Sequence, residues 1–176
     1  KLYQRDYKRP DMREALLKAD LTEKQAGMVC DACKNAAHIS NENKKLFEGF
    51  TEEDAAAIAM YTYDFGGKEF ECNPYRIINS SLIDRNFSSL QRASGVLYLV
   101  MTALRKLPRV TGKTLYRGVR SEVKMDEDHY CKGNVVTWAA LSSTSPSMNT
   151  TRGFLERTAE DGKAKGTLFI IEEGWG

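Results

Sequence analysis

Pro108 marks the point where the chain changes its periodicity, and that change limits the folds open to it. Before it, Leu90, Ala93, Leu97, Val100, Met101, Leu104 and Leu107 form one apolar stripe at steps of three and four. The stripe predicts a helix from about Ser89 to Leu107, which the proline cannot continue. Earlier, Thr51-Glu52-Glu53-Asp54 supplies an N-cap and an acidic first turn for a helix through Ala55 to Tyr63, and Gly66-Gly67 breaks it. After Pro108 the spacing shortens to two. The segment KTLYRGVR, Lys113 to Arg120, puts Leu115, Arg117 and Val119 on one face of a strand and Tyr116 on the other. VVTWAAL, Val135 to Leu141, reads as a second strand closed by the polar turn Ser142 to Pro146, and GTLFIIE, Gly166 to Glu172, as a third. Asn149 to Thr158 suits a short helix. Helices first and strands afterwards predict an α+β fold rather than a repeating βαβ one. The expectation is one domain over 1–176, helical to about 108 and β-rich from about 109, with no internal repeat or interdomain linker.

Composition narrows the partners. A net charge of +2, with basic residues spread along the chain, makes no case for nucleic acid or an anionic membrane. The longest apolar stretch, Val96 to Ala103, is far short of the roughly 20 residues that span a bilayer. The opening KLYQRDYKRP has neither signal-peptide character nor an initiator Met, which predicts a start inside a longer product. Secreted and cytoplasmic settings both fit, and nothing sets an oligomeric state.

Cysteines stand at 30, 33, 72 and 131. Cys30-x-x-Cys33 has redox or half-zinc spacing, but a zinc site needs about four ligands, and His38 and His129 are poorly spaced to supply them. Structural disulfides and simple buried thiols remain alternatives.

Arg117 is the first residue with a chemical question attached. Alternation sends it inward with Leu115 and Val119, where a guanidinium needs an anion or several acceptors. The plain alternatives are an exposed face or a carboxylate partner. Gly118 beside it permits close backbone approach, by a ligand or by a bulge. Ser142-Ser143-Thr144-Ser145-Pro146 can hydrogen-bond a sugar or simply make a turn. The chain has no G-x-S-x-G elbow and no Walker or Rossmann glycine pattern.

The order of these features gives them meaning. Leu115-Tyr116-Arg117-Gly118-Val119, followed by an aromatic-bearing segment ending in Ser143-Thr144-Ser145, resembles the arginine and S-T-S motifs of mono-ADP-ribosyltransferases of the arginine–serine–glutamate class. Ala59-Met60-Tyr61-Thr62 and Tyr75-Arg76-Ile77-Ile78-Asn79 are similar to that family's helix pair. Phe154 matches the aromatic after S-T-S, and Thr167 to Ile171 the next core strand, so the resemblance covers roughly residues 50 to 176.

The resemblance implies a split β-sandwich around a cleft that takes NAD as co-substrate, with no metal. It implies transfer of ADP-ribose to a side chain of a target protein, an arginine by preference, through an oxocarbenium-like transition state with loss of nicotinamide. Arg117 would hold the NAD phosphates. Gly118 would meet the nicotinamide amide through its backbone. Ser143 would fix the ribose and orient the catalytic carboxylate, with Thr144 and Ser145 supporting the strand. Pro146 to Gly153 would form a flexible loop over the nicotinamide, with Arg152 or Phe154 touching the ligand. The family's E-x-E or Q-x-E pair is expected on strands further along than Gly176; its second glutamate stabilises the charge growing on the ribose. Glu172-Glu173 is a poor substitute, because adjacent strand residues point to opposite faces. NAD glycohydrolysis in the same cleft, or a non-catalytic NAD-binding or regulatory role, are the alternative readings.

Overall fold

The computed structural model describes residues 8–40, 49–66, 72–109, 112–120, 123, 130–156 and 166–172, with backbone only at 36–40 and 156. Among these lie six helices and a two-stranded antiparallel sheet, an α+β composition. The chain divides into two compact units, Lys1–Pro108 and Arg109–Gly176.

The first unit is helical: α1 (Met12–Lys18), α2 (Glu23–Ser40), α3 (Glu52–Thr62), α4 (Pro74–Asp84) and α5 (Phe87–Lys106). Local signals set the helix ends. Asp11 accepts a bond from the Glu14 amide, Pro74 opens α4, and Asn86 accepts from the Ser88 and Ser89 amides at the start of α5. Thr51 and Asp54 complete a reciprocal capping box on α3. Leu107 ends α5 in an extended conformation, φ −75° and ψ 145°, as a residue before proline must.

Helix α5 packs against α1, α3 and α4, and α2 packs on α1 and α3. Its buried positions are Ala93, Gly95, Val96, Leu99, Val100 and Ala103. The expected stripe is therefore displaced: Leu90, Leu97, Met101 and Leu107 are half-buried and Leu104 is exposed. Several neighbours surround α5, so close approach at small residues selects its inner face rather than side-chain size. A Cβ on Gly95 would come within 3.0 Å of the Ala15 Cβ, which shows how tightly α1 crosses there. Leu16, Val29, Met60, Ile78, Val96 and Val100 fill the core.

Among the described residues of this unit one charged side chain is buried. The Asp54 carboxylate is fully buried and accepts from Arg9 Nη1 at 2.9 Å, Lys106 Nζ at 2.7 Å and both the amide and hydroxyl of Thr51 at 2.9 Å. Burial alone would raise its pKa, but the bonds from Lys106, Thr51 and Arg9 outweigh burial and hold it well below the usual carboxylate range. Arg9 also reaches Glu53 at 3.3 Å.

In the second unit β1 (Leu115–Val119) pairs with β2 (Thr167–Ile171), Arg117 opposite Phe169. Helix α6 (Met148–Glu156) packs on β1. A Cβ on Gly118 would stand 3.1 Å from Leu155 Cγ and Thr151 Cγ2, so the glycine lets the helix approach the strand. The expected strand at 135–141 does not form: these residues have no ladder, and Val135 is 96% exposed. β-Branched residues favour a pleated surface only when a partner strand is present. Here the edge of β1 is met further along, where Tyr116 and Ser145 exchange backbone bonds of 2.8 and 2.9 Å.

Candidate functional site

Strand β1 carries Arg117 on the face shared with Leu115 and Val119, and all three are half-buried. Two groups position its guanidinium. Nη1 donates to the Ser143 carbonyl at 3.1 Å, and the Arg117 Cζ lies 5.2 Å from the centre of the Trp138 ring. Trp138 is itself fixed, donating from Nε1 to the Tyr130 hydroxyl at 2.8 Å and meeting Phe169 edge-on at 5.3 Å. Tyr130 also contacts Phe169, with ring centres 5.1 Å apart. Among the described residues no carboxylate pairs with Arg117, and its hydrogen bonding is confined to Ser143. The remaining N–H groups form a fork suited to a bidentate anion.

The Ser-Thr-Ser segment is adjacent for a backbone reason. The paired bonds between Tyr116 and Ser145 bring Ser143 level with Arg117. Ser143 and Thr144 are exposed, and Ser145 is half-buried with its hydroxyl accepting from the Ser147 amide at 3.1 Å. Arg117, Ser143 and Ser145 are thus brought together. Gly118 adjoins them along β1, but its Cβ side faces α6.

Two candidates stand apart. Arg152 is exposed on α6, and no described contact joins it to Arg117 or to the serines. Phe154 is exposed and lies under Arg120, whose Cζ is 4.2 Å from the ring centre. The loop expected over 146–153 is instead helical from Met148 onward, because Ser147 accepts from the Thr150 amide and starts α6. Glu172 is exposed just beyond β2, while Glu173 and the Glu69-Phe70-Glu71 triplet, an E-x-E placed before the arginine motif, lie outside the described residues. Trp138 and Tyr130 were missed as partners of the arginine face. Their only sequence signal is large aromatics beside a polar turn.

The helix-pair residues meet within the first unit. Asn79 Nδ2 donates to the Tyr61 hydroxyl at 3.2 Å, and Tyr61 and Tyr75 pack edge-on with centres 6.5 Å apart.

The cysteines have a different character. All four are free. Cys33 is buried in α2, and burial pushes its thiol up to about 12, with Cys30 adding to the effect. Burial also raises Cys30, with the Asp11 carboxylate contributing. A nucleophilic or redox-active thiol needs the opposite shift. Among the described residues no three of His, Cys, Asp and Glu gather as a metal set, His129 being outside them. No described helix is long and apolar enough to cross a membrane.

The chain matches no protein-family model, no curated protein and no solved structure.

Proposed function

We propose that this chain is the NAD-holding part of a mono-ADP-ribosyltransferase that modifies a protein side chain, arginine by preference. The observation that carries the proposal is the 3.1 Å bond from Arg117 Nη1 to the Ser143 carbonyl. Residues 26 apart in sequence, singled out by motif order, share one hydrogen bond on one strand face. An arginine so oriented, with no described carboxylate to neutralise it, is suited to a diphosphate. The exposed Ser143 and Thr144 beside it are suited to a ribose. On this reading the two-stranded sheet belongs to a split β-sandwich, and a glutamate of the E-x-E type supplies the charge that stabilises the oxocarbenium ion.

The test uses the chain together with any sequence its gene encodes beyond Gly176. Nicotinamide release from NAD and label transfer to a protein arginine are measured side by side. Arg117→Ala should weaken NAD binding by at least about tenfold, the size of one lost charge-assisted bond. Arg117→Lys should recover only part of it, because an ammonium cannot present the fork. Unchanged NAD affinity in Arg117→Ala defeats the phosphate-anchor assignment. Binding without nicotinamide release identifies a non-catalytic NAD-binding protein.

A further inference from the structure

We infer that the cleft between the α1–α2 turn and helices α4 and α5 binds a small neutral polyhydroxyl compound of pentose or hexose size. The cleft lies wholly within the helical unit and has a volume of about 290 Å³. That is near the lower limit of about 300 Å³ for ligand pockets, so it suits one small molecule.

Its polar lining holds both acceptors and donors. The Ser80 and Ser81 hydroxyls donate to the Arg76 and Ile77 carbonyls, each at 2.7 Å. With their protons committed to the helix, both oxygens face the cleft only as acceptors. Arg92, which also lines the cleft, donates weakly from Nη2 to Ser89 Oγ at 3.3 Å, leaving that hydroxyl's own proton to donate. Arg92 Nε is paired with Asp20 at 2.8 Å.

This pairing decides the charge of the occupant. Asp20 offsets Arg92, and the two accept-only hydroxyls oppose an anion. A ligand whose hydroxyls both give and take hydrogen bonds satisfies every group at once.

Cys72 lines the same cleft and gives the site its own reporter. The experiment follows iodoacetamide labelling of Cys72 in the whole chain by peptide mass. It compares D-ribose, D-glucose, myo-inositol and inorganic phosphate as probes. Cys131, exposed in the other unit, is the internal control. At about twice its Kd a polyol should occupy two-thirds of the sites and slow Cys72 labelling about threefold. Arg92→Ala and Ser89→Ala should each abolish that protection, and the Ser89 variant serves if the Arg92 one unfolds. No protection by any polyol overturns the inference. So does equal slowing at Cys131, protection by phosphate alone, or protection that survives both substitutions.

Discussion

The helical unit and the β unit handle polar groups in opposite ways. Before Pro108 lie all the fully buried apolar side chains of the described residues, and the one buried carboxylate is surrounded by donors of its own chain. Among the described residues after Pro108, Thr151 alone is buried, Trp138, Phe154, Ile170 and Val135 are exposed, and the Arg117 guanidinium makes one hydrogen bond, to Ser143. The first unit turns its buried carboxylate to holding helix ends together, although Arg9 Nη2 is buried there without a partner among the described residues. The second leaves an arginine and a row of hydroxyls facing outward. The arginine and hydroxyls of the second unit thus lie beside a thin core, where binding would supply what packing does not.

Substitutions sharpen this contrast, and the largest effect should come from Asp54. Asp54→Ala removes the capping box and takes the shared acceptor from the partly buried Arg9 and Lys106. A loss of about 3 kcal/mol is expected in urea unfolding followed by far-UV circular dichroism. A loss under 1 kcal/mol would mean that the two cations simply turn to solvent, and the contrast between the units would weaken.

Next comes Gly118→Val, which places methyl groups where Leu155 and Thr151 already stand. About 2 kcal/mol of destabilisation is expected, read as a lowered Tm, with the helical unit's urea transition unmoved. If the helical transition moves equally, the two units do not unfold independently.

The pH dependence probes the same carboxylate more gently. Its folded pKa is depressed, so the unfolded chain takes up a proton, near pH 4, before the folded one does. The stabilisation is complete above that pH and is lost as pH falls through the folded pKa. Asp54→Asn should flatten the slope of stability against pH below about 4 by close to one proton. An unchanged slope would assign the acid sensitivity to other carboxylates.

The smallest effect is expected for Trp138→Leu, which removes the ring beside Arg117 and the bond to Tyr130. A loss of roughly 1 kcal/mol from the β unit fits an exposed cation–π contact and one hydrogen bond. A larger loss would mean that the aromatic cluster acts as a core after all.

Much of this was legible before any coordinates. The start of α3 is written in Thr51 and Asp54, the end of α5 in Pro108, β1 in its alternation and β2 in its run of β-branched and aromatic residues. Three things were not, and each depends on residues far apart. The face that α5 buries depends on which helices surround it, and a helix with neighbours on several sides has more than one apolar stripe. Val135 to Leu141 has strand composition, but a strand exists only with a partner. Asp54 reads locally as a helix-dipole charge, and its burial becomes visible only with Arg9, 45 residues before it, and Lys106, 52 residues after. In the candidate site, motif order singled out Arg117 and Ser143, but their hydrogen bond joins residues 26 apart and had no local signal. The aromatic support beneath the arginine had no periodic signal to reveal it.

The reach of the Asp54 cluster also orders events as the protein is made. Asp54 leaves the ribosome 52 residues ahead of Lys106, an interval of roughly 3–10 s at ordinary elongation rates. Until then its carboxylate can bond Thr51 and meet Arg9, but the cation from the end of α5 has not been synthesised. Full burial of that charge before Lys106 arrives would strand it short of a partner, so water must keep the start of α3 loose. Closure of the helical unit thus waits on its final helix.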